Sequence, residues 1–401
     1  MSTVVTEESW FGRIAGAFKG ILIGLVLAVI SVPLLFWNEG RAVKTAKGLK
    51  EGAGAVVKLD SDTPSASNDG NFVHVTGTAQ TEEVLKDNEF GVEYNGIRLK
   101  RNAEMYQWVE KSQTKSKKKL GGGKKTTTTY TQSLQWVGHH VDSGSFHIDD
   151  PSERQRKQNP SSLKFANNTQ QATQVGLGGF KLPNSLIGQI SGSVPLEIDP
   201  EKVAADISES ITVEGSNTAY WRSEGTYDGT PQLGDMRVTF SGTPISDVSV
   251  MAKQKGETFE PFVTQQDTQL NMLSMGNVSP EIMIKQAEAA NAQLTWILRG
   301  IGSGMMFLGF VFILKPLSVL ADVIPFLGSL VGAGTGFVAF LLAAFGSLTT
   351  IAIAWIFYRP LLGIALLAIA AAALFMLFSR ARKAKQSALE NAPNPNAINR
   401  T

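Results

Sequence analysis

Residues 20–37 read GILIGLVLAVISVPLLFW, 18 positions without a charge, bounded by Lys19 and by Asn38-Glu39. At ~1.5 Å per helical residue such a run is long enough to cross a hydrocarbon core of ~30 Å. Pro33 near its end is tolerable in lipid. The run exceeds a usual signal-peptide core and no small-x-small site follows it, so it reads as an uncleaved anchor. Three further apolar segments lie at the other end of the chain. Residues 294–314 carry one charge, Arg299, about a turn from their start. Residues 330–357 and 361–378 carry none, and Tyr358-Arg359-Pro360 stands between them as a turn. Residues 315–329 hold Pro316, Asp322 and Pro325 among Leu, Val, Ile and Phe, which reads as an interfacial or re-entrant link.

The pattern predicts an α+β membrane protein with about four transmembrane helices, one N-terminal and three C-terminal. Between the first and second lies a large β-rich extracytoplasmic domain, residues 38–293. Both termini then share one side. Arg13, Lys19, Lys315, Arg380, Arg382, Lys383 and Lys385 fall there, against Arg41, Lys44, Lys47, Lys50 and Arg359 opposite. The surplus places residues 1–19 and the basic tail 379–401 in the cytoplasm.

Within the domain, residues 41–57 (RAVKTAKGLKEGAGAVV) are amphipathic. Ala42, Val43, Ala46, Leu49 and Ala53 follow helical spacing while Lys44, Lys47 and Lys50 group on the other side. Such a helix either lies on anionic headgroups or opens the folded domain with a solvated lysine face. Strand patterns follow at 72–78, 211–214, 218–222, 235–241 and 248–255, with a short helix at 201–210. Residues 97–109 and 126–137 form the arms of a β-hairpin. Its tip, KSQTKSKKKLGGGKK, carries Lys115, Lys117, Lys118, Lys119, Lys124 and Lys125; it either engages acidic lipid or a polyanion or, the favoured reading, is a soluble, disordered loop whose charge blocks edge pairing. Residues 142–173 are polar and loop-like. Ser279-Pro280-Glu281 is a helix start: a Ser N-cap, Pro at the first position and an acid in the first turn. With no breaker before Leu294, that helix runs on into the second span.

Composition follows from this division. Charged residues are 18% of the chain, and 37 Lys+Arg against 35 Asp+Glu give a net charge of +2. That balance argues against nucleic acid held by a general basic field. The absence of cysteine excludes disulfides, thiolate metal sites and a cysteine nucleophile. His139, His140 and His147 lie close in sequence and, with an acid such as Asp142, could hold a metal, although adjacent strand residues point to opposite faces. No HExxH, GxSxG, Walker A or GxGxxG string occurs, so no enzyme, cofactor or catalytic residue is assigned. Among polar groups near the spans, Arg299 and Arg359 lie near span ends and can snorkel, and Asp322, in the broken link, could bind a cation or pair with Arg359 or Arg299, being unremarkable if interfacial and functional if buried. Gly300 with Gly304, and Gly328 with Gly332 and Gly336, form rows at i, i+4 that let helices approach closely, within one chain or between chains.

Five strings carry a resemblance: NEGRAVKTAKGLKEG at 38–52, VHVTGTAQTEEVLKDNEFGV at 73–92, LKRNAEMYQWVE at 99–110, GDMRVTF at 234–240 and WIFYRPL at 355–361. Together and in this order they resemble the LUMA, or transmembrane protein 43, family over nearly the whole chain. The resemblance implies one N-terminal span, a large lumenal domain and three or so C-terminal spans. It implies a self-associating membrane organiser, resident in the endoplasmic reticulum and inner nuclear membrane of eukaryotes, that holds envelope proteins including emerin and lamins. The lack of cysteine fits a bacterial member, in the cytoplasmic membrane. The expected partners are therefore membrane lipids, a second copy of the chain and other membrane proteins. Two other readings remain: an oligomeric channel with Asp322 lining it, and an extracytoplasmic metal-binding or hydrolytic domain.

Overall fold

A computed structural model describes residues 2–59 and 63–360 of the chain. The expected fourth span, 361–378, and the basic tail lie outside the described residues. The chain divides into two compact units. One comprises residues 2–16, 44–291 and 319–330; the other comprises 17–43, 292–318 and the described part of the segment that starts at 331. Mixed helix and sheet, with a β-rich middle region, is the fold class that the hydropathy pattern predicts.

Three long helices supply the apolar segments: α1 (Trp10–Ala55), α2 (Pro280–Ala321) and α3 (Pro325–Tyr358). Each is long and apolar enough to cross a membrane. Helix α1 starts ten residues before the charge-free run, because Ser9 caps it: its Oγ accepts the Gly12 N–H at 3.1 Å. Pro33 sits inside α1 without ending it. Helix α2 opens on Ser279 and Pro280, as the capping signal predicts. It then differs from expectation at its far end, running through Lys315 and Pro316 to Ala321. The link shrinks to the turn 322–324. A proline removes one helical hydrogen bond and kinks the helix, which surrounding helices tolerate.

The first unit is built on two large sheets. The eight-stranded sheet contains β1 (Ser2–Glu8), β3 (Arg98–Lys118), β4 (Lys124–Val137) and β5 (Met236–Thr243), in the order β1-β4-β3-β5, followed by Thr218–Trp221 and Ile211–Glu214. The seven-stranded sheet is centred on β2 (Phe72–Gln80) and β6 (Ser246–Lys255), paired antiparallel from Ser246↔Ala79 to Lys253↔Phe72. Period-two alternation along β3 buries Leu99, Arg101, Ala103, Met105 and Gln107 on one side. Leu99, Ala103 and Met105 join Phe90, Phe165, Val238 and Phe240 in one core, and Val73, Val75, Val248 and Val250 join Leu177 and Phe180 in another. A third cluster, Leu49, Phe72, Met251, Leu270, Met283 and Ile284, seats the ends of α1 and α2 that belong to this unit. Fully burying one such Phe or Leu side chain stabilises by roughly 1.5–3 kcal/mol.

Three segments read differently from their sequence. The lysine-rich tip is not a loop: β3 and β4 stay paired to Lys118↔Lys124, leaving only residues 119–123 as the turn. Residues 2–8, within the expected cytoplasmic segment 1–19, form β1, which extends the hairpin from Ser2↔Tyr130 to Glu8↔Lys124. The helix expected at 201–210 is a 3-10 turn, Pro200–Lys202, and one short turn of α-helix, Ala205–Ser208.

Candidate functional site

In the helical unit, polar groups of α1, α2 and α3 converge on Glu39, whose side chain is 1% exposed. Helix α2 brings Arg299, and its Nε and Nη2 donate to the two carboxylate oxygens at 2.6 and 2.8 Å. Helix α3 brings Trp355, whose indole Nε1 donates to the same carboxylate at 2.8 Å. The Arg299 guanidinium lies 4.7 Å from the Trp296 ring centroid and 5.7 Å from that of Trp355. A two-pronged Arg–carboxylate pair with a third donor satisfies a buried charge that lipid would otherwise reject. One residue earlier, the Asn38 amide donates to the Thr295 carbonyl at 3.0 Å, and Arg41 donates to the Thr295 hydroxyl at 2.9 Å. A methyl on Gly40 would lie 2.5 Å from the Tyr358 ring, so a side chain there would push α3 away.

Glycine sets the remaining helix contacts of this unit. A methyl on Gly24 would lie 2.5 Å from the Gly309 carbonyl, and one on Gly309 would lie 2.7 Å from the Gly24 carbonyl. Backbones of α1 and α2 therefore meet directly there. Gly302 faces Leu35, and Gly346 faces Met306. The glycines singled out from sequence behave otherwise. Among the described residues, Gly300, Gly304 and Gly336 have nothing within 4 Å of an added methyl, and a methyl on Gly332 would lie 3.0 Å from the Ser318 hydroxyl. Residues 302, 306 and 309 thus form the inward face of α2, and 300 with 304 an open one.

In the sheet-containing unit, Asp322 caps the end of α2 and is 1% exposed. The sequence offers Arg359 or Arg299 as its partner; the structure gives it Arg13 from the first turn of α1 and, at 2.6 Å, Lys118 from the hairpin. Gly328 packs against the same aspartate. Around it, the Trp10 indole donates to the Val319 carbonyl at 2.9 Å, Gly121 N–H donates to the Val323 carbonyl at 3.1 Å, and Lys119 pairs with Glu7 at 2.6 Å. The sidedness expected from counting spans separates Arg13 and Asp322 from the domain that carries Lys118; these bonds join all three in one compact unit. Arg359 sits at the end of α3 with its guanidinium 6.0 Å from the Trp355 centroid. Lys44, Lys47 and Lys50 are exposed, while Leu49 on the same helix enters the core.

The histidines lie apart in their bonding. His140 Nε2–H donates to the Pro160 carbonyl at 2.9 Å, and the His139 carbonyl accepts from Gln107. His147 Nδ1–H donates to Glu110 at 2.9 Å and its ring stacks on Tyr130 at 3.7 Å. Burial pushes the Glu110 carboxyl up, but hydrogen bonds from His147 and Gln132 outweigh it and hold the group below its usual range. Among the described residues no group of three or more His, Asp or Glu side chains is placed to hold a metal. His140 and Asp142 line an open cavity of about 720 Å³ with Arg154 and Asn159.

Two of the sequence strings that carry the family resemblance, 38–52 and 355–361, supply Glu39 and Gly40 on one side and Trp355 and Tyr358 on the other. The sequence profile of the family described as Transmembrane protein 43 matches residues 105–360. The chain belongs to the transmembrane protein 43 family. It is 32% identical to Transmembrane protein 43 of Rattus norvegicus over 88% of this chain and 88% of the relative. It is 30% identical to Transmembrane protein 43 of Homo sapiens over 89% and 88%, and 27% identical to Transmembrane protein 43 homolog of Drosophila melanogaster over 90% and 94%. No solved structure matches the chain. As a transmembrane protein 43 family member it is an integral membrane protein, and the profile match takes in Lys118, Arg299, Asp322 and Trp355.

Sequence reasoning passed over Glu39, Arg13, Gly24 and Gly309. A carboxylate directly abutting a charge-free run was the available signal for Glu39. Nothing local marks Arg13, because its partners lie 109 and 309 residues away.

Proposed function

We propose that this chain is a self-associating, non-enzymatic membrane scaffold that gathers other membrane proteins around its helices and its β-rich domain. The observation that supports self-association is the glycine face of α2 that is open among the described residues: Gly300 and Gly304 have no described neighbour within 4 Å of an added methyl, while Gly302 and Gly309 on the other face are occupied within the chain. In lipid, where apolar surfaces gain little by meeting, small residues that admit a second backbone drive helix association. The compartment that goes with this reading is the endoplasmic reticulum and inner nuclear membrane in a eukaryotic cell, or the cytoplasmic membrane in a bacterial one. Chemical cross-linking of the full chain in native membranes is expected to trap dimers or larger species. Recovery of monomer alone, under conditions that cross-link a known membrane oligomer, would contradict the proposal.

A further inference from the structure

The end of the hairpin carries a charge arrangement that its own fold leaves unresolved. Lys117 lies directly across from Lys125, and Lys118 directly across from Lys124. Like charges facing one another across a strand pair are destabilising. Lys118 is neutralised by Asp322 and Lys119 by Glu7. In the β1 register Glu7 also faces Lys125, near enough to feel its charge, and Glu8 faces Lys124, although neither makes an ion pair with the lysine it faces. Lys115, Lys117, Lys124 and Lys125 form no ion pair among the described residues.

The same end exposes large apolar side chains. Leu120, at the turn, is 87% exposed. Residue 121 is bonded to Val323, which is 43% exposed and is followed by Ile324 at 53% and Phe326 at 74%. Gly122 packs against the Trp10 ring, and the Phe11 ring beside it, 5.1 Å from Trp10, is 76% exposed. Exposed apolar residues gathered with unpaired cations are out of place on a surface facing only water.

Chain continuity says what lies there. Residues 10–13 precede the charge-free run by two to three helical turns, and 322–324 form the turn, with Phe326 just after it, between two helices apolar enough to span. Both belong at a membrane–water boundary, where Trp is favoured and lysine side chains reach the headgroups. We infer that the hairpin tip, the first turns of α1 and the α2–α3 turn form one membrane-interface anchor that recognises anionic lipid. Leu120, Phe11 and Phe326 enter the boundary of the acyl region, and Lys115, Lys117, Lys124 and Lys125, which make no ion pair within the described residues, pair with lipid phosphates. The buried Asp322, held by Arg13 and Lys118, fixes the three segments to one another so that they meet the bilayer together.

The absence of cysteine makes the test direct. An environment-sensitive fluorophore attached through Leu120→Cys is read in the full chain, reconstituted in nanodiscs of phosphatidylcholine alone or mixed with phosphatidylglycerol, with a nitroxide on the upper acyl chain as quencher. The expected result is blue-shifted, quenched emission in the anionic discs. Quenching is lost or weakened in phosphatidylcholine discs, at high salt, and when the four unpaired lysines are changed to Gln. The salt arm uses the unaltered lysines, so it does not depend on the folding of the fourfold variant. Water-like, unquenched emission in the anionic discs would overturn the anchor. Equal quenching in both lipids and at high salt would overturn its recognition of anionic headgroups.

Discussion

Glu39 and Asp322 are buried carboxylates with different partners. Glu39 is held by one guanidinium and one indole, both on helices distant in sequence. Asp322 is held by two cations from segments near its own helix end and from the hairpin. Removing one side of a buried ion pair strands the other, at a cost of roughly 3–5 kcal/mol. Glu39→Gln is therefore expected to destabilise the helical unit by about that amount, seen as lowered thermal stability in detergent. Arg299→Lys is expected to recover part of the loss seen with Arg299→Ala, because it keeps the charge and loses the two-pronged geometry. Unchanged melting of Glu39→Gln would mean that the pair does not hold the helices. From sequence, Arg299 reads as a snorkelling arginine, a sound reading when no partner is visible. Its partner lies 260 residues away, a separation that periodicity cannot bridge.

At the scale of elements, hydropathy located the long helices well because a membrane imposes its length on them. The strand expected at 235–241 was legible for the same kind of reason, since a half-buried sheet imposes a period of two and Met236, Val238 and Phe240 are its buried positions. The lysine-rich arms were not. Polar residues without alternation carry no strand signal, and β1, which pairs along β4, lies in the stretch 1–19 that reads only as a cytoplasmic segment until its partner strand is known. A second element depends on a histidine. His74 on β2 is 2% exposed, and its Nε2–H donates to the Val278 carbonyl at 2.8 Å, just before α2 begins. Burial lowers its pKa from 6.5, with Lys58 adding to the effect and the Val278 bond opposing it. The unfolded chain therefore takes up this proton first. Stability is fully present above 6.5 and is lost as pH falls from there toward the folded value. Melting of the full chain followed over that interval is expected to show this loss, and His74→Gln is expected to lack it. Equal pH dependence in the two would remove His74 as the cause.

For the whole molecule, the modest charge content averages two compact units of opposite character. One presents apolar side chains on three helices, and the other folds two sheets around buried Phe, Val and Leu clusters. Membership of the transmembrane protein 43 family was legible because its strings sit where residues are most constrained: Glu39 and Gly40 against α3, and the β3 positions that enter the core. Which glycines face inward was not legible, since Gly302 and Gly304 differ only in which side of α2 they occupy. Under the proposed self-association, Gly300 and Gly304 form the face that meets a second copy. The number of chains in one assembly, counted by photobleaching steps of a single fluorophore per chain in native-membrane particles, tests it most directly. Two or more steps are expected for the wild-type chain and one for Gly300→Leu with Gly304→Leu, while both retain their helical content. A single step in the wild type, or an unchanged count in the variant, would contradict self-association through this face.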